Sequence, residues 1–367
     1  MFLEDITMKK MLAISLVLVL VIGLLSGCSG TAVVYYSDCT CPSAPGSNGP
    51  SEPENNNPSN PTNPPAEGAV KTGLALITNV SGSKNAEVAD YDVTIVAVTV
   101  DDKGVIDSCI IDSIGTKVEF DGTGTLTKIP ETIATKNELG DSYGMVNYGG
   151  AKYEWYKQAA ALADFAKGRT VAELKEGAID ETGKAPAGSD LASTATIYLG
   201  GYVSAIETAV NNAKHLGATA GDELRLATNA SADSSAGATA SKAGIAQLDV
   251  DVTALTVKDG KITSCYIDSV QAKVTFDANG EISSDITAPV QTKNELGENY
   301  GMAAWGGAKF EWDVQAANFA AYVTGKTAAE VAGIAVNEGT KPTDADLSAG
   351  VTIAIGGFQA LIAKAFQ

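Results

Sequence analysis

The sequence predicts an α+β protein of two tandem similar domains, each a small antiparallel sheet packed with helices, behind a signal peptide and a disordered tether. Three observations predict it. Blocks of residues recur at a period of about 156 positions, far longer than the repeat of a solenoid. Within each copy strand-like alternation comes first and helical periodicity follows, which argues against a doubly wound parallel sheet. The 367 residues also exceed one typical domain, so two domains with flanking segments are the natural division. The expected boundaries are 1–28, 29–68, 69–217 and 218–367.

The first segment reads as a secretory signal. Lys9 and Lys10 precede an apolar run over 11–25, which ends in Leu25-Ser26-Gly27-Cys28, the order of a positive region, an apolar region and small residues before cleavage. An uncleaved membrane helix is the competing reading. Leu-Ser-Gly-Cys resembles the bacterial lipobox, and the resemblance implies that Cys28 receives a diacylglyceryl group and becomes the mature N-terminus. Two acyl chains of the palmitate kind give stable anchoring, at about 0.8 kcal/mol per buried methylene. Residues 1–7 read as an upstream extension. Residues 29–68 are rich in Pro, Asn, Ser and Gly, a composition that cannot bury a core. As a coil such a tether spans about 35 Å, and as extended polyproline II about 120 Å.

The repeat then begins. Asp112-Ser113 echoes Asp268-Ser269, and Thr135-Lys136-Asn137-Glu138-Leu139-Gly140 recurs from Thr292 to Gly297. Tyr143-Gly144-Met145 matches Tyr300-Gly301-Met302, Gly149-Gly150-Ala151-Lys152 matches Gly306-Gly307-Ala308-Lys309, and Tyr153-Glu154-Trp155 matches Phe310-Glu311-Trp312. Each copy opens with a hairpin: 93–100 and 105–111 around Asp102-Lys103-Gly104, then 250–257 and 261–267 around Lys258-Asp259-Gly260. Residues 117–120 and 273–276 predict one more strand. Trp155, Leu162 and Phe165 share a helix face, as do Trp312, Phe319 and Val323. Thr170-x-x-Glu173 and Thr327-x-x-Glu330 are capping boxes.

The last helix of each copy is expected to start at a threonine motif. Its apolar stripe is Leu199, Val203, Ile206 and Val210 in the first copy, and Ile355, Phe358, Ile362 and Phe366 in the second. A Gly-Gly pair stands near each start, Gly200-Gly201 and Gly356-Gly357. Each helical glycine costs about 1 kcal/mol relative to alanine, so another backbone or a ligand should approach closely there.

Composition removes several function classes. A formal net charge of -19 argues against nucleic acid, since phosphate binding needs concentrated Lys and Arg. One histidine, His215, leaves haem, copper, catalytic zinc and Ser-His-Asp chemistry without their usual residue; His215 itself reads as a helix-end cation. Cys109 and Cys265 occupy equivalent strand positions and read as small buried hydrophobes. Cys39 and Cys41 are too closely spaced for an ordinary bridge. No catalytic residue and no metal ligand set is expected.

The threonine motif carries the chemistry. Asp190-x-x-Ser193-Thr194-Ala195-Thr196 resembles the Asp-x-x-(Ser/Thr)-(Gly/Ser)-Ala-Thr signature of FMN-binding domains that hold flavin on a threonine hydroxyl. In the second copy, Asp346-x-x-Ala349-Gly350-Val351-Thr352 departs at Ala349 and Val351 and keeps the aspartate, the glycine and the acceptor threonine. The resemblance implies two covalent FMN groups per chain, on Thr196 and Thr352, each moved from FAD by a separate flavin transferase. A phosphoester at a helix start would meet unpaired N–H groups and the positive dipole end; an ordinary Ser/Thr N-cap would give the same local pattern. Two look-alikes lack context. Asp233 to Thr239 fits the signature loosely with no helical stripe after it, and Gly325-Lys326-Thr327 mimics only the tail of a phosphate-binding loop and reads as a helix cap.

A flavin ring is flat, apolar on its faces and polar at one edge, so aromatic, Met and Gly residues beside donors suit it. Tyr143, Met145, Tyr148 and Trp155 meet that description, as do Tyr300, Met302, Trp305 and Trp312. Trp155 and Trp312 read equally as core residues. Lys136 and Lys293 read either as partners of phosphate or ring, or as solvated loop charges.

Lipobox, tether and tandem attachment domains together resemble the flavin-bearing lipoproteins of Gram-positive extracellular electron transfer. That resemblance implies a carrier anchored in the cell membrane on its extracellular face. It would take electrons from a membrane quinol-oxidising donor and pass them to ferric iron or free flavins. Two rivals stand beside it: a flavin-free surface lipoprotein that binds a solute or the wall, and a flavoenzyme reducing a small substrate. The second should show convergent Arg or His, which the sequence scarcely offers.

Overall fold

The computed structural model describes residues 68–367; the expected signal segment, Cys28 and the bulk of the tether lie outside the described residues. The first copy contributes β1 (Lys71–Asn79), β2 (Val88–Val100), β3 (Ile106–Phe120) and β4 (Leu126–Lys128), antiparallel in that order. Its helices are α1 (Lys136–Leu139), α2 (Trp155–Ala166), α3 (Val171–Ala178), α4 (Asp190–Thr194) and α5 (Gly200–Asn211). The second copy repeats the plan. It has β5 (Glu223–Ser231), β6 (Gly244–Lys258) and β7 (Lys261–Phe276), then α6 (Lys293–Leu296), α7 (Trp312–Val323), α8 (Ala328–Ala332), α9 (Ala345–Gly350) and α10 (Gly356–Ala365).

The hairpins form where the alternation places them, and their turns follow from residue type. Asp101 accepts from the Lys103 and Val105 amides, both at 2.8 Å, to close the first. In the second, Asp259 and Gly260 both have positive φ, 51° and 75°, the two-residue geometry that matches strand twist. β1 and β5 escape the alternation rule. In Lys71–Asn79 a continuous apolar run is buried on both faces, and Glu223–Ser231 is mostly small and polar.

The expected extra strands at 117–120 and 273–276 are not separate. β3 and β7 run unbroken for 15 and 16 residues, through Asp112-Ser113 and Asp268-Ser269, which look like breaks only in sequence. Those pairs mark a change of side. Before them, Cys109 and Ile111, or Cys265 and Ile267, face the helices of their own copy. After them, Ile114, Val118 and Phe120, or Val270, Val274 and Phe276, face the other sheet. Odd and even residues of one strand point to opposite faces, so each sheet is covered twice.

The layers are therefore helices, sheet, sheet, helices. Between the sheets lies one core built from both copies, including Tyr91, Val93, Ile95, Leu248, Val250 and Val252. Phe120 and Phe276 stack in it, centroids 4.0 Å apart and 3° from parallel. Residues 69–217 and 218–367 thus meet across a common interior, and both lie in one compact unit. On the outer faces α2 and α5 cover the first sheet, and α7 and α10 the second. Gly73 lets α5 lie directly on β1, since a Cβ there would come 2.0 Å from the Ala209 carbonyl oxygen.

Replacing Phe276 by alanine should cost about 3–5 kcal/mol of stability, and the loss should reach both copies. In one chain keeping only Trp155 and another keeping only Trp312, the urea midpoint should fall by the same amount. Separate midpoints would mean that each copy folds alone.

Candidate functional site

Thr196 sits in an extended connection. Ser189 caps α4 by accepting from the Ala192 amide at 3.1 Å, and after five helical residues Ala195 turns extended and is buried. Strand-like alternation then points Thr196 outward, where it is exposed. α5 begins only at Gly200, anchored by buried Leu199. The second copy does the same with Asp344 as cap, Val351 buried, Thr352 half-buried and α10 starting at Gly356. The last helix therefore does not begin at the threonine, as the motif suggested. The apolar residue before each threonine plugs the core and pulls the chain out of helical geometry.

What holds each threonine is a buried glutamine. Gln158 Oε1 accepts from the Thr196 amide at 2.7 Å, the Thr196 hydroxyl at 3.2 Å and the Ile197 amide at 3.1 Å. Gln315 Oε1 accepts from the Thr352 amide at 2.8 Å and its hydroxyl at 3.1 Å. Both glutamines are 0 % exposed. Their Nε2 groups donate to the Tyr153 and Phe310 carbonyls, each at 2.8 Å, and lie 3.9 Å from Met145 Sδ and 3.6 Å from Met302 Sδ. The amide is satisfied at both ends, as a buried polar group must be.

The threonine amide is thus occupied, and amides free for an anion lie instead in the first turns of α5 and α10. Gly200 N–H donates to the Gly183 carbonyl at 3.0 Å, while Gly201 and Tyr202 N–H have no acceptor among the described residues. A Cβ built on Gly201 or Gly356 would meet nothing within 4 Å, and one on Gly357 only Asp251 Oδ2 at 3.9 Å. A Cβ on Gly200 would come 2.6 Å from the Tyr198 hydroxyl oxygen, so the Tyr198 ring covers that side of α5, whereas the space at Gly201 and at the start of α10 is open.

The Tyr-Gly-Met loop forms the wall beside the threonine. Glu154, buried, accepts from the Met145 and Val146 amides at 2.8 and 2.9 Å; Glu311 does so from Met302 and Ala303 at the same distances. Lys152 and Lys309 donate to the Ser193 and Ala349 carbonyls at 3.2 and 3.3 Å, tying the loop to the threonine segment. Gly144 (φ 80°) and Gly301 (φ 78°) bend the loop so that Tyr148 and Trp305 lie on them; a Cβ would come 2.5 and 2.1 Å from those rings. Each ring keeps its other face open, with Tyr148 91 % and Trp305 82 % exposed.

One helical turn from each glutamine stands a tryptophan, under a lysine. Lys136 Nζ is 5.5 Å from the Tyr143 ring centre and 5.2 Å from that of Trp155; Lys293 is 5.3 and 4.8 Å from Tyr300 and Trp312. Trp155 and Trp312 are buried, so both readings of them meet: core residues whose faces border the lysine. Trp155 Nε1 donates to Tyr202 OH at 3.0 Å in the first turn of α5. Phe358 takes that place in the second copy, edge-on to Trp312 at 5.9 Å. Burial lowers the Lys293 pKa, against the nearby Asp251 and Asp249.

The structure brings Thr196, Met145, Tyr143, Lys136 and Trp155 around the first two turns of α2, and Thr352, Met302, Tyr300, Lys293 and Trp312 around α7. Asp190 and Asp346 are not drawn in. Both are exposed on the short helices, where Ser189 and Asp344 do the capping. Thr239 is exposed in a turn, accepting from the Lys242 amide at 3.0 Å, with no buried partner. His215 lies beyond α5 and pairs with Asp102 at 2.9 Å. Cys109 and Cys265 are buried, their thiols pushed up to about 12 by desolvation. Thr327 caps α8, as its spacing predicts.

Gln158 and Gln315 are the residues that sequence reasoning missed. The available signal was a polar residue repeated at Trp-x-x-Gln on an otherwise apolar helix face. Compared with known proteins, the chain matches no family model, no curated protein and no solved structure.

Asp268 braces the lysine helix by accepting from the Asn294 amide at 3.2 Å and the Ser269 amide at 2.7 Å. Burial nevertheless pushes its carboxyl from 3.8 up to about 6. A raised acid pKa means that the fold binds the proton more tightly than the unfolded chain, so stability is highest below pH 4 on this account and falls as pH rises to about 6. The ionised form costs about 3 kcal/mol. Asp268→Asn keeps the acceptor oxygen and should raise the urea midpoint at pH 7 while flattening its fall between pH 4 and 6. An unchanged pH profile would refute this account.

Proposed function

We propose that this chain is an electron carrier bearing two covalent FMN groups, one on Thr196 and one on Thr352, held at the extracellular face of the cell membrane through Cys28. The observation that carries the reading is the recurrence, in both copies, of a signature threonine, exposed in the first and half-buried in the second, tied to the core by a buried glutamine. The threonines are not helix caps, because the helices after them start behind Leu199 and Ile355 and the short helices before them are capped by Ser189 and Asp344.

The residues present fit the group. A phosphoester on either hydroxyl would lie a few residues before a glycine-led first turn with unpaired amides, where an anion is favoured. Tyr143 and Met145, or Tyr300 and Met302, border the same space with a lysine behind them. Bound FMN supplies reversible one- and two-electron storage in its isoalloxazine ring. The chain's own residues bind and orient; covalent attachment prevents loss outside the cell, and acid-base machinery is not required of a carrier. A flavin transferase loads it, a membrane quinol-oxidising donor reduces it, and ferric iron or free flavins receive the electrons.

Co-expression with a flavin transferase tests the reading. After denaturation the native chain should retain two FMN by intact mass and fluorescence, Thr196→Ala and Thr352→Ala one each, and the double variant none. A native chain without flavin, or a double variant that keeps both, would sink it.

A further inference from the structure

We propose that Gln158 and Gln315 are positioning residues that make Thr196 and Thr352 the acceptor hydroxyls, by presenting each to an incoming flavin dinucleotide. The inference rests on the reading above and adds what selects these two hydroxyls from the many serines and threonines of the chain.

The selection is visible in where each hydroxyl is tied. Ser193 Oγ donates to the Asp190 carbonyl at 2.6 Å and Thr194 Oγ1 to the Leu191 carbonyl at 3.1 Å, both local contacts within α4. Ser348 likewise bonds back to Ala345 at 3.3 Å. Esterifying any of these strips a donor from a helix carbonyl. Thr196 and Thr352 instead reach a fully buried side chain on another helix, 38 and 37 residues away in sequence. The two amides donated to Gln158 fix the backbone on either side of the hydroxyl. The hydroxyl hydrogen points inward to Oε1, which leaves the oxygen lone pairs without a donor among the described residues.

A neutral amide oxygen suits this role. It orients the hydroxyl without holding a charge that would repel phosphate. When the hydroxyl proton is lost, Gln158 Oε1 keeps both backbone donors and Gln315 Oε1 keeps the Thr352 amide, so no buried group is orphaned. In the transfer the threonine Oγ1 attacks the flavin-side phosphorus. The Oγ1–P bond forms, the anhydride P–O bond breaks, the adenylate leaves with that oxygen, and the proton passes to a transferase base or water. No electrons change hands.

The duplication supplies its own control, because the second threonine reports on folding in the same chain. Full chains are treated with transferase and FAD, and flavin on each threonine-bearing peptide is followed by mass. Gln158→Met keeps the volume and removes the acceptor. It should slow loading of Thr196 at least tenfold through kcat, with KM for the chain unchanged and Thr352 loaded normally; Gln315→Met should give the mirror image. Without any flavin, hydrogen exchange at the Thr196 and Ile197 amides should accelerate at least tenfold in Gln158→Met. Gln158→Glu, which restores an acceptor oxygen but adds a charge beside the incoming phosphate, should bring amide exchange at Thr196 and Ile197 back toward the native rate while Thr196 loading stays slow.

Four outcomes are decisive against the inference or its basis. Unchanged Thr196 loading in Gln158→Met overturns the inference, as does unchanged amide exchange. Equal loss at both threonines makes the glutamine a folding residue and overturns it too. A native chain that takes no flavin on either threonine instead brings down the underlying reading.

Discussion

Burial on both faces of long strands is the constraint on which the structure depends. A strand of 15 or 16 residues such as β3 or β7 presents one face to the other sheet and one to helices, so neither copy completes its interior alone. That arrangement separates duties along each strand. The half beyond Asp112 or Asp268 secures the contact between copies, and the half before it carries α2 or α7, with the tryptophan and glutamine that define each site. The site is thus mounted on rigid elements at the outer surface while cohesion is supplied from the middle.

Polar groups inside this frame appear where a loop must be pinned. Glu154 and Glu311 hold two amides each, Gln158 and Gln315 hold the threonine segment, and Asp112 and Asp268 hold the lysine helix. Burying them is unfavourable unless every lone pair finds a donor. Each accepts from at least two donors, and the equivalent donors serve in both copies except that Gln158 also takes the Ile197 amide. The loop conformations are consequently set from the core outward, which is what a site needs if it is to hold one geometry.

Much of this was legible in the sequence. The repeat, the hairpins, the apolar stripes and the capping boxes all follow from local rules, because periodicity and turn chemistry are properties of neighbouring residues. The shared core was not, since an apolar residue on a strand does not say which sheet it will face. The glutamine clamps escaped for a related reason. They join positions 38 and 37 residues apart, and a polar residue within an apolar helix stripe gives no sign of its partner. The supposed helix start at the threonine failed at Ala195 and Val351, where tertiary burial overrides local helical preference. Asp190 and Asp346 belong to the motif, yet no contact in the fold explains their presence.

The two sites share a scaffold and differ in charge. Asp92 has its equivalent in Asp249, but Thr94 becomes Asp251, opposite Ser113 and Ser269 respectively. Asp251 reaches the first turn of α10, with Oδ2 3.9 Å from where a Cβ on Gly357 would stand. The carboxylate therefore offsets the positive end of α10, and the buried Lys293 in turn balances the carboxylate. In the first copy no carboxylate lies within 4 Å of where a Cβ on the equivalent Gly201 would stand. Thr352 is also less exposed than Thr196. Charge and access rank the copies in the same order as the motif, in which Asp346 to Thr352 is the one that departs from the signature.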